Sequence, residues 1–238
     1  MSLRFSTPVS SPLYPSPPYH YDGAELFLAL FYGTEESVQA LLPEPLRPTD
    51  MNLMALLFGR QPCRETGPFM EAGLLVQCLF ENPETGEEEV GVFFSHNFVT
   101  TDVAMAAGRE IWGYPRKLAK ISMDWDGDVL RAYVERHDTV VLQARCEMTE
   151  EGEWIDSGPN VNLHLIPRPD GSGHALAEIT AAYLDYDIKS GRSGDVEIEI
   201  NSGPDDDFSA VAVEGTMIGL YFKTDIILPP ARVIHRYE

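Results

Sequence analysis

Apolar and polar residues alternate with a period of two along much of the chain. Apolar residues fill every second position over 130–134, 140–146 and 196–200, and mostly polar residues lie between them. Successive side chains of a strand point to opposite faces, so this pattern predicts strands with one buried and one solvated face. Asp126-Gly127, just before the first of these runs, predicts a tight hairpin turn. We therefore predict a mainly β (α+β) fold with a largely antiparallel sheet, and sheets of this size tend to close into barrels.

Two short helices interrupt the strand pattern. Thr34 is a good N-cap residue, and the acidic Glu35 after it suits the positive end of a helix. Apolar residues follow on one face, and Pro43 ends the segment. A second helix is predicted to begin near Asp102 and to run towards Gly108. The fold class is therefore a β-sheet protein with a few short peripheral helices.

The chain length predicts one domain. A chain of 238 residues can bury a sizeable core, and neither a repeat nor a change in composition marks a boundary, so we assign residues 1–238 to a single domain. Five of the 18 prolines fall in residues 1–18, which disfavours helix and central strand. We predict an extended, proline-rich arm there.

The net charge of −21 limits the possible partners. A strongly acidic surface repels phosphate backbones and anionic lipid, so we expect neither nucleic acid nor a membrane as a partner. The three cysteines are odd in number and lack C-x-x-C spacing, which is typical of reduced, buried thiols. Together with the lack of a signal-peptide core or a long apolar run, this predicts a cytoplasmic protein.

Several apparent motifs fail on spacing. The acidic run from Asp124 to Asp128 resembles the start of a calcium loop, but Val129 stands where that loop needs glycine. The six histidines show no metal-ligand spacing, and Gly171–Gly173 lacks the spacing of a phosphate loop. We therefore predict no metal and no cofactor. His96, within an apolar run that includes Phe98, is the histidine that we retain as a candidate pocket residue.

The most informative stretch is residues 108–120, where Arg116 and Lys117 follow Tyr114-Pro115. A cation beside a core element is costly unless it is paired or used. A neutral lysine amine can attack a ketone, and the protonated imine then accepts electrons when a neighbouring C–C bond breaks. Burial and a nearby cation both lower the pKa of a lysine. The alternative is that Arg116 and Lys117 form a solvated pair on an acid-rich surface.

Several segments in the same order make the chain resemble the acetoacetate decarboxylase family over nearly its whole length. They are Ser11-Pro12, Pro18-Tyr19, residues 43–46, residues 108–118, Pro159-Asn160, Ile166-Pro167, Asp170-Gly171 and residues 225–229. The resemblance implies an antiparallel sheet closed into a cone-like barrel, an interior apolar pocket and a tendency to form homo-oligomers. It also implies lyase chemistry on a small oxo acid through a lysine Schiff base.

The family's functional positions match only in part. The family has two consecutive lysines after Tyr-Pro, of which the first forms the Schiff base; here Arg116 takes that place and Lys117 the second. If this segment is extended, a pocket that receives Arg116 turns Lys117 away. The family's substrate-side arginine falls on Ala24, and one of its two pocket glutamates falls within Met54–Leu57. The other glutamate is matched by Glu71.

Three hypotheses follow. The first is a decarboxylase or an aldolase-dehydratase that uses Lys117 as the imine-forming amine, with Arg116 and Glu71 as the other catalytic residues. The second is an enzyme of the same fold that forms no imine and uses Arg116 with Glu71. The third is a barrel that binds a small ligand without catalysis. The candidate substrate-binding residues are Phe98, His96, Arg109, Glu110 and Tyr114. For Arg109 and Glu110 the alternative is a structural ion pair.

Overall fold

The structure is a computed structural model that describes residues 4–237, and it consists mainly of one large sheet. The strands are β1 (Tyr19–Gly33), β2 (Arg47–Pro48), β3 (Leu53–Cys63), β4 (Gly67–Glu81), β5 (Glu88–Val99), β6 (Arg116–Leu118), β7 (Lys120–Asp126), β8 (Val129–Arg136), β9 (Thr139–Glu151), β10 (Asn160–Pro167), β11 (His174–Ala182), β12 (Asp185–Ile200), β13 (Val213–Leu228) and β14 (Arg232–Arg236). The helices are α1 (Glu35–Leu41) and α2 (Asp102–Ala107), and a π-helical turn (Gly108–Trp112) continues α2.

The sheet is largely antiparallel, as predicted, but parallel pairings make it mixed and it is open, so the prediction that it closes into a barrel was wrong. Its order is β14-β11-β10-β5-β4-β3-β1-β13-β12-β9-β8-β7, with β2 beside β4 and β6 beside β5. Both β10 and β6 pair with β5 in parallel. Within residues 4–237 the ladder ends at β14 and β7, which do not pair with each other.

The strands in the middle of the sheet are buried on both faces. On β1, Phe27, Ala29 and Phe31 are fully buried in the largest apolar cluster. Leu26 is also buried, on the opposite face, where β4, β5 and the segment before β10 cover it. A strand covered on both sides needs apolar residues at consecutive positions, which is why β1 lacks the simple alternation seen over residues 130–134. This second covered face carries the candidate site.

Both predicted helices and the hairpin are present. Thr34 caps α1, and its Oγ1 accepts a hydrogen bond from the backbone N–H of Ser37 over 3.1 Å. Thr101 caps α2, whose C-terminal end passes directly into the π-helical turn. Gly127 has a φ of 62° in the turn between β7 and β8, a conformation that glycine adopts without steric cost. These local signals are consistent with the structure because side-chain capping and turn chemistry depend on only a few neighbouring residues.

Candidate active site

The short strand β6 inserts Arg116 into the interior of the protein. Its guanidinium Nη2 lies 2.7 Å from Glu71 Oε1, Nε donates to Asn97 Oδ1 over 3.1 Å, and Nη1 donates to the carbonyl of Ala104 over 2.8 Å. The Arg116 side chain is 4% exposed and that of Glu71 is 9% exposed. A buried charge requires such a set of partners, since desolvation otherwise makes it unstable. Arg116 is therefore held in one orientation by three different elements.

Gly108 leaves the space that the Arg116 side chain occupies. A Cβ atom at Gly108 would lie 2.5 Å from Arg116 Cδ and 2.6 Å from Nη1, which is closer than real Cβ contacts allow. The guanidinium also packs on two aromatic faces, with its carbon 4.8 Å from the ring centre of Tyr114 and 5.4 Å from that of Phe69. Cation–π contacts at these distances are attractive. The glycine and the two rings therefore define the position of the cation.

The electrostatics of the site keep Arg116 charged and its neighbouring phenols neutral. Burial opposes the charge of Arg116, but Glu71 and the nearby tyrosines outweigh it, so the pKa of Arg116 is raised above its usual value. Burial raises the pKa of Tyr114 to about 12 and raises the pKa values of Tyr21 and Tyr186 as well. At neutral pH the site therefore contains a charged guanidinium and three neutral hydroxyl groups.

These groups surround a cavity of about 70 Å³, which we call the Arg116 cavity. Its polar lining consists of Arg116, Glu71, Gln61, Asn160, Ser157 and the hydroxyl-bearing Tyr21, Tyr114 and Tyr186. Asn160 donates a hydrogen bond to the Tyr114 hydroxyl over 2.8 Å. The rest of the wall is formed by leucine, isoleucine, phenylalanine and tryptophan side chains. Such a lining, in which polar groups converge on a cavity with an otherwise apolar wall, is typical of small-molecule sites.

Lys117 points away from the Arg116 cavity. Its Nζ lies 2.8 Å from Asp206 Oδ1 and 2.7 Å from the carbonyl of Asp205, and its side chain is 41% exposed. Asp206 is fully buried and also accepts a hydrogen bond from Arg136 Nε over 2.9 Å. Adjacent side chains of a strand point to opposite faces, so β6 cannot direct both cations to the same cavity. The Lys117 amine therefore connects β6 to the loop before β13, on the face of β6 opposite the Arg116 cavity.

The other lysines are equally remote from the cavity. Lys120 pairs with Glu135, Lys189 pairs with Asp225 at 3.1 Å, and Lys223 is exposed. All four lysines of the chain lie within residues 4–237, and none of their side chains lines the Arg116 cavity.

A β-bulge explains why His96 and Phe98 lie outside the cavity. The pairing of β4 with β5 passes from Leu75↔Phe94 to Leu74↔His96 and skips Ser95. The extra residue reverses the alternation, so Phe94 faces the cavity but His96 does not. His96 stacks on Phe208, with ring centres 4.3 Å apart, and Phe98 is fully buried in the main core. The sequence predicted no interruption of the strand at this point.

Arg109 and Glu110 lie at the surface of the π-helical turn, and they do not line the Arg116 cavity. Arg109 Nη1 donates to the carbonyl of Arg116 over 3.3 Å, so it supports the backbone of β6. The Glu110 carboxylate accepts a hydrogen bond from the hydroxyl of Tyr14, which belongs to the segment before β1. Of the predicted site residues, the structure brings together Arg116, Glu71 and Tyr114.

Several cavity residues carried no usable signal in the sequence. Tyr21 and Tyr186 come from β1 and β12, and Asn97, which holds Arg116 without lining the cavity, comes from β5 beyond the bulge. Trp154 and Ser157 belong to the segment between β9 and β10, which has no regular structure. Their approach depends on the register of the strands and on that segment, which single-sequence periodicity does not encode. Asn160 is the exception, since it lies in a stretch that carries the family resemblance.

Neither a metal cluster nor a membrane-spanning helix is found in the described part of the chain. Residues 4–237 contain no group of three or more histidine, cysteine, aspartate or glutamate side chains placed to hold a metal ion. Within the same residues no helix is long and apolar enough to cross a bilayer.

Comparison with known proteins identifies the family. The profile described as "Acetoacetate decarboxylase (ADC)" matches residues 2–237. Acetoacetate decarboxylase 1 of Bradyrhizobium diazoefficiens is 28% identical, and the match covers 98% of this chain and 93% of that protein. The crystal structure of acetoacetate decarboxylase from Legionella pneumophila is 26% identical, with a TM-score of 0.85 over 98% of this chain and 94% of that one. MppR, an enduracididine biosynthesis enzyme complexed with the condensation product of pyruvate and imidazole 4-carboxaldehyde, is 16% identical with a TM-score of 0.87 over 100% and 98% of the two chains, which shows the fold alone. The chain belongs to the acetoacetate decarboxylase family.

Proposed function

We propose that the protein is a lyase that cleaves a C–C bond of a 3-oxo acid through an enolate held by Arg116, without an imine. The observation that carries the proposal is the orientation of β6. Arg116 enters the cavity and pairs with Glu71 at 2.7 Å, whereas Lys117 pairs with Asp206 on the other side. The chemistry available in the cavity is therefore oxyanion stabilisation and proton transfer.

Arg116 has hydrogen-bond donors to spare for a substrate. A guanidinium carries five N–H groups, and the contacts to Asn97, Ala104 and Glu71 use three of them. The remaining donors on Nη1 and Nη2 can bind the keto oxygen of an oxo acid. That oxygen becomes negative in the transition state, so a fixed cation there stabilises the transition state more than the ground state.

Glu71 supplies the proton in this scheme. When the substrate carboxylate enters, two carboxylates face one guanidinium, and such a pair takes up one proton. The C–C bond to the carboxylate then breaks, carbon dioxide leaves, and the electron pair of that bond forms the enolate. The protonated Glu71 transfers its proton to the enolate carbon, and the carbonyl is restored. Water returns a proton to Glu71, so one proton is consumed for each carbon dioxide released.

The relatives support this reaction class. The 28% identical protein from Bradyrhizobium diazoefficiens and the 26% identical protein from Legionella pneumophila both carry the name acetoacetate decarboxylase. Loss of carbon dioxide from a 3-oxo acid produces an enolate whether the electron sink is an imine or a bound ketone. With arginine in place of the family's first lysine, the electron sink is a bound ketone and not an imine. The bond that breaks can still be the C–C bond to the carboxylate.

Borohydride trapping combined with three variants tests the proposal. The protein is incubated with acetoacetate or a longer 3-oxo acid, release of carbon dioxide is measured, and the mass of the protein is determined after borohydride reduction. We expect turnover without a mass adduct. Lys117→Ala is expected to retain turnover, whereas Arg116→Ala and Glu71→Gln lower kcat by about 10²-fold or more, the size typical of a lost oxyanion or proton-transfer group.

Two outcomes would contradict the proposal. A reduced adduct at Lys117, or loss of turnover in Lys117→Ala with the fold intact, would restore the imine mechanism. Release of carbon dioxide that survives Arg116→Ala at the native rate would remove Arg116 from the chemistry. Arg116→Lys is a useful companion variant, because a lysine in the cavity can be trapped at about pH 9 if the oxo acid enters the cavity.

A further inference from the structure

A second cavity lies directly beside the Arg116 cavity. It encloses about 90 Å³, and we call it the apolar chamber. The two cavities have four wall residues in common: Leu28, Leu75, Trp154 and Ser157. Trp154 packs against Tyr186 with ring centres 4.5 Å apart and against Phe222 with ring centres 5.1 Å apart. The two cavities are therefore adjacent, and they form the two ends of a space bordered by these shared side chains.

Along β1 and β3, residues that line the Arg116 cavity are followed by residues that line the apolar chamber. On β1, Leu26 lines the Arg116 cavity, Leu28 lines both cavities and Leu30 lines the apolar chamber. On β3, Leu57 lines the Arg116 cavity and Ala55 the apolar chamber. Every second residue of a strand lies on the same face, so these side chains form continuous rows. The row from Leu26 to Leu30 is about 13 Å long at the usual rise per residue.

The two ends of this space differ in chemistry. Arg116 supplies a buried cation at one end. The chamber end is lined mainly by aliphatic and aromatic side chains, such as Leu220 and Phe222, and its one charged lining residue is the anionic Asp156. Glu71 balances the charge of Arg116, so an anionic group is held at that end by the free N–H donors of the guanidinium, whereas Asp156 repels it from the chamber end. An apolar chain gains by leaving water for the chamber.

We propose that the apolar chamber binds the tail of the substrate, which is an unbranched 3-oxo acid with about six to ten carbons in its chain, the length that about 13 Å accommodates. The proposal rests on the proposed function, because Arg116 must receive the oxo-acid head. It adds a specificity-determining subsite whose wall is formed by Leu30, Ala55 and Phe222. Acetoacetate would leave this subsite empty and would be the weaker substrate.

Calorimetric binding of unreactive probes tests the subsite without any need for turnover. Saturated straight-chain carboxylates from butanoate to decanoate are titrated into the native protein. Each methylene that enters the chamber is expected to tighten binding about fourfold, the factor that corresponds to about 0.8 kcal/mol for a buried methylene. Ala55→Phe fills the chamber and is expected to abolish the gain for the longer chains. Ala175→Phe, at an exposed position of β11, is the matched control and should bind like the native protein.

The head and the tail can be separated in the same experiment. Arg116→Ala is expected to weaken binding of every chain length by a similar factor and to leave the dependence on length intact. Equal affinities from butanoate to decanoate in the native protein would overturn the proposal, even if Ala55→Phe failed to fold. A change of oligomeric mass in Ala55→Phe with an unchanged length dependence would also overturn it, because the face would then be a contact between copies of the chain. A normal length dependence without turnover of any oxo acid would contradict the proposed lyase reaction but not the tail subsite.

Discussion

Arg116 and Glu71 form an ion pair in which Nη2 and Oε1 lie 2.7 Å apart, and neither side chain is more than a tenth exposed. The pair joins β6 to β4, two strands that are not neighbours in the sheet. Both ions lose their hydration on folding, and each compensates the other. The same two groups that we assign to the reaction therefore also contribute to the fold, and experiments must separate the two roles.

Removal of one partner of this pair should destabilise the protein strongly. Arg116→Met leaves Glu71 buried without its cation, and a loss of about 3–5 kcal/mol in the free energy of unfolding is expected. Replacing both residues, as in Arg116→Met with Glu71→Leu, should recover much of that loss because no buried charge remains. Urea denaturation measures the free energy of unfolding of the native protein, the single variant and the double variant. The double variant should still lack turnover.

An exposed pair provides the control for that experiment. Arg64 and Asp22 form a pair at 2.8 Å with both side chains 61% exposed. Arg64→Met should leave the free energy of unfolding close to that of the native protein, because exposed ion pairs contribute little to stability. A loss in Arg116→Met as small as that in Arg64→Met would show that the guanidinium is hydrated, contrary to the structure.

Gly108 should be essential for activity although it touches no substrate. In Gly108→Ala the added methyl group would lie 2.5–2.7 Å from three atoms of Arg116, so the guanidinium must move. We expect a loss of kcat comparable with that of Arg116→Ala, together with a smaller loss of stability, because the ion pair can partly re-form. Gly215→Ala is the matched control, since a Cβ atom there meets nothing within 4 Å. Equal kcat values in Gly108→Ala and the native protein would mean that the position of Arg116 is unimportant.

Local features of the fold could be predicted from the sequence, whereas closure of the sheet could not. The cap at Thr34, the start of α2 at Asp102 and the turn at Gly127 depend on residues next to one another in the chain. The neighbours of β5 depend on which distant strands reach its edge, and periodicity carries no information about that choice. The same holds for the ends of the ladder: β14 and β7 do not pair within residues 4–237, so the barrel expectation failed.

The candidate site could be predicted in part for the same reason. A strand at residues 116–118 is enough to place Arg116 and Lys117 on opposite faces. The sequence therefore predicts that, if this segment is extended, only one of the two side chains enters the cavity. Nothing in the sequence indicates which face holds the cavity or that Ser95 forms a bulge that turns His96 away. Tyr21 and Tyr186 lie in line across the sheet because both pair with Ile226 of β13, and no local pattern in the sequence gives that register.

Lys117 should matter for acid stability. Burial raises the pKa of Asp206, but hydrogen bonds and charge interactions with Lys117 and Arg136 outweigh it and lower the pKa below its usual value. The folded protein therefore binds fewer protons at Asp206 than the unfolded chain does. The resulting stability is present above the unfolded pKa of about 3.9 and is lost as pH falls through the folded pKa.

Lys117→Ala removes one of the two cations, so the folded pKa of Asp206 should rise and acid unfolding should begin at higher pH. Circular dichroism across an acid titration gives the midpoint. Lys223→Ala, at an exposed position of β13, is the control and should keep the native midpoint. An unchanged midpoint in Lys117→Ala would mean that its amine does not stabilise the Asp206 carboxylate.

His164 should make the protein less stable in mild acid. It lies on β10 opposite Glu178 on β11, with Nδ1 3.6 Å from Glu178 Oε1, and both side chains are buried. Burial lowers the pKa of His164, although Glu178, itself 3.4 Å from Arg236, acts in the opposite direction. Burial also lowers the pKa of His96, with Lys117 adding to the effect. Below about pH 6.5 these two histidines therefore bind more protons in the unfolded chain than in the folded protein.

The free energy of unfolding should consequently fall as pH decreases from about 6.5 towards the folded pKa of each ring. His164→Gln removes one of the two titrating groups, so the pH dependence in this range should become shallower, with the contribution of His96 left in place. Urea denaturation at several pH values between about 5 and 7.5 measures the slope. His174→Gln, at an exposed position, should keep the native slope. A native slope in His164→Gln would mean that the folded protein accepts a proton on His164 as readily as the unfolded chain, so that the buried carboxylate of Glu178 fully offsets the cost of burying the imidazolium.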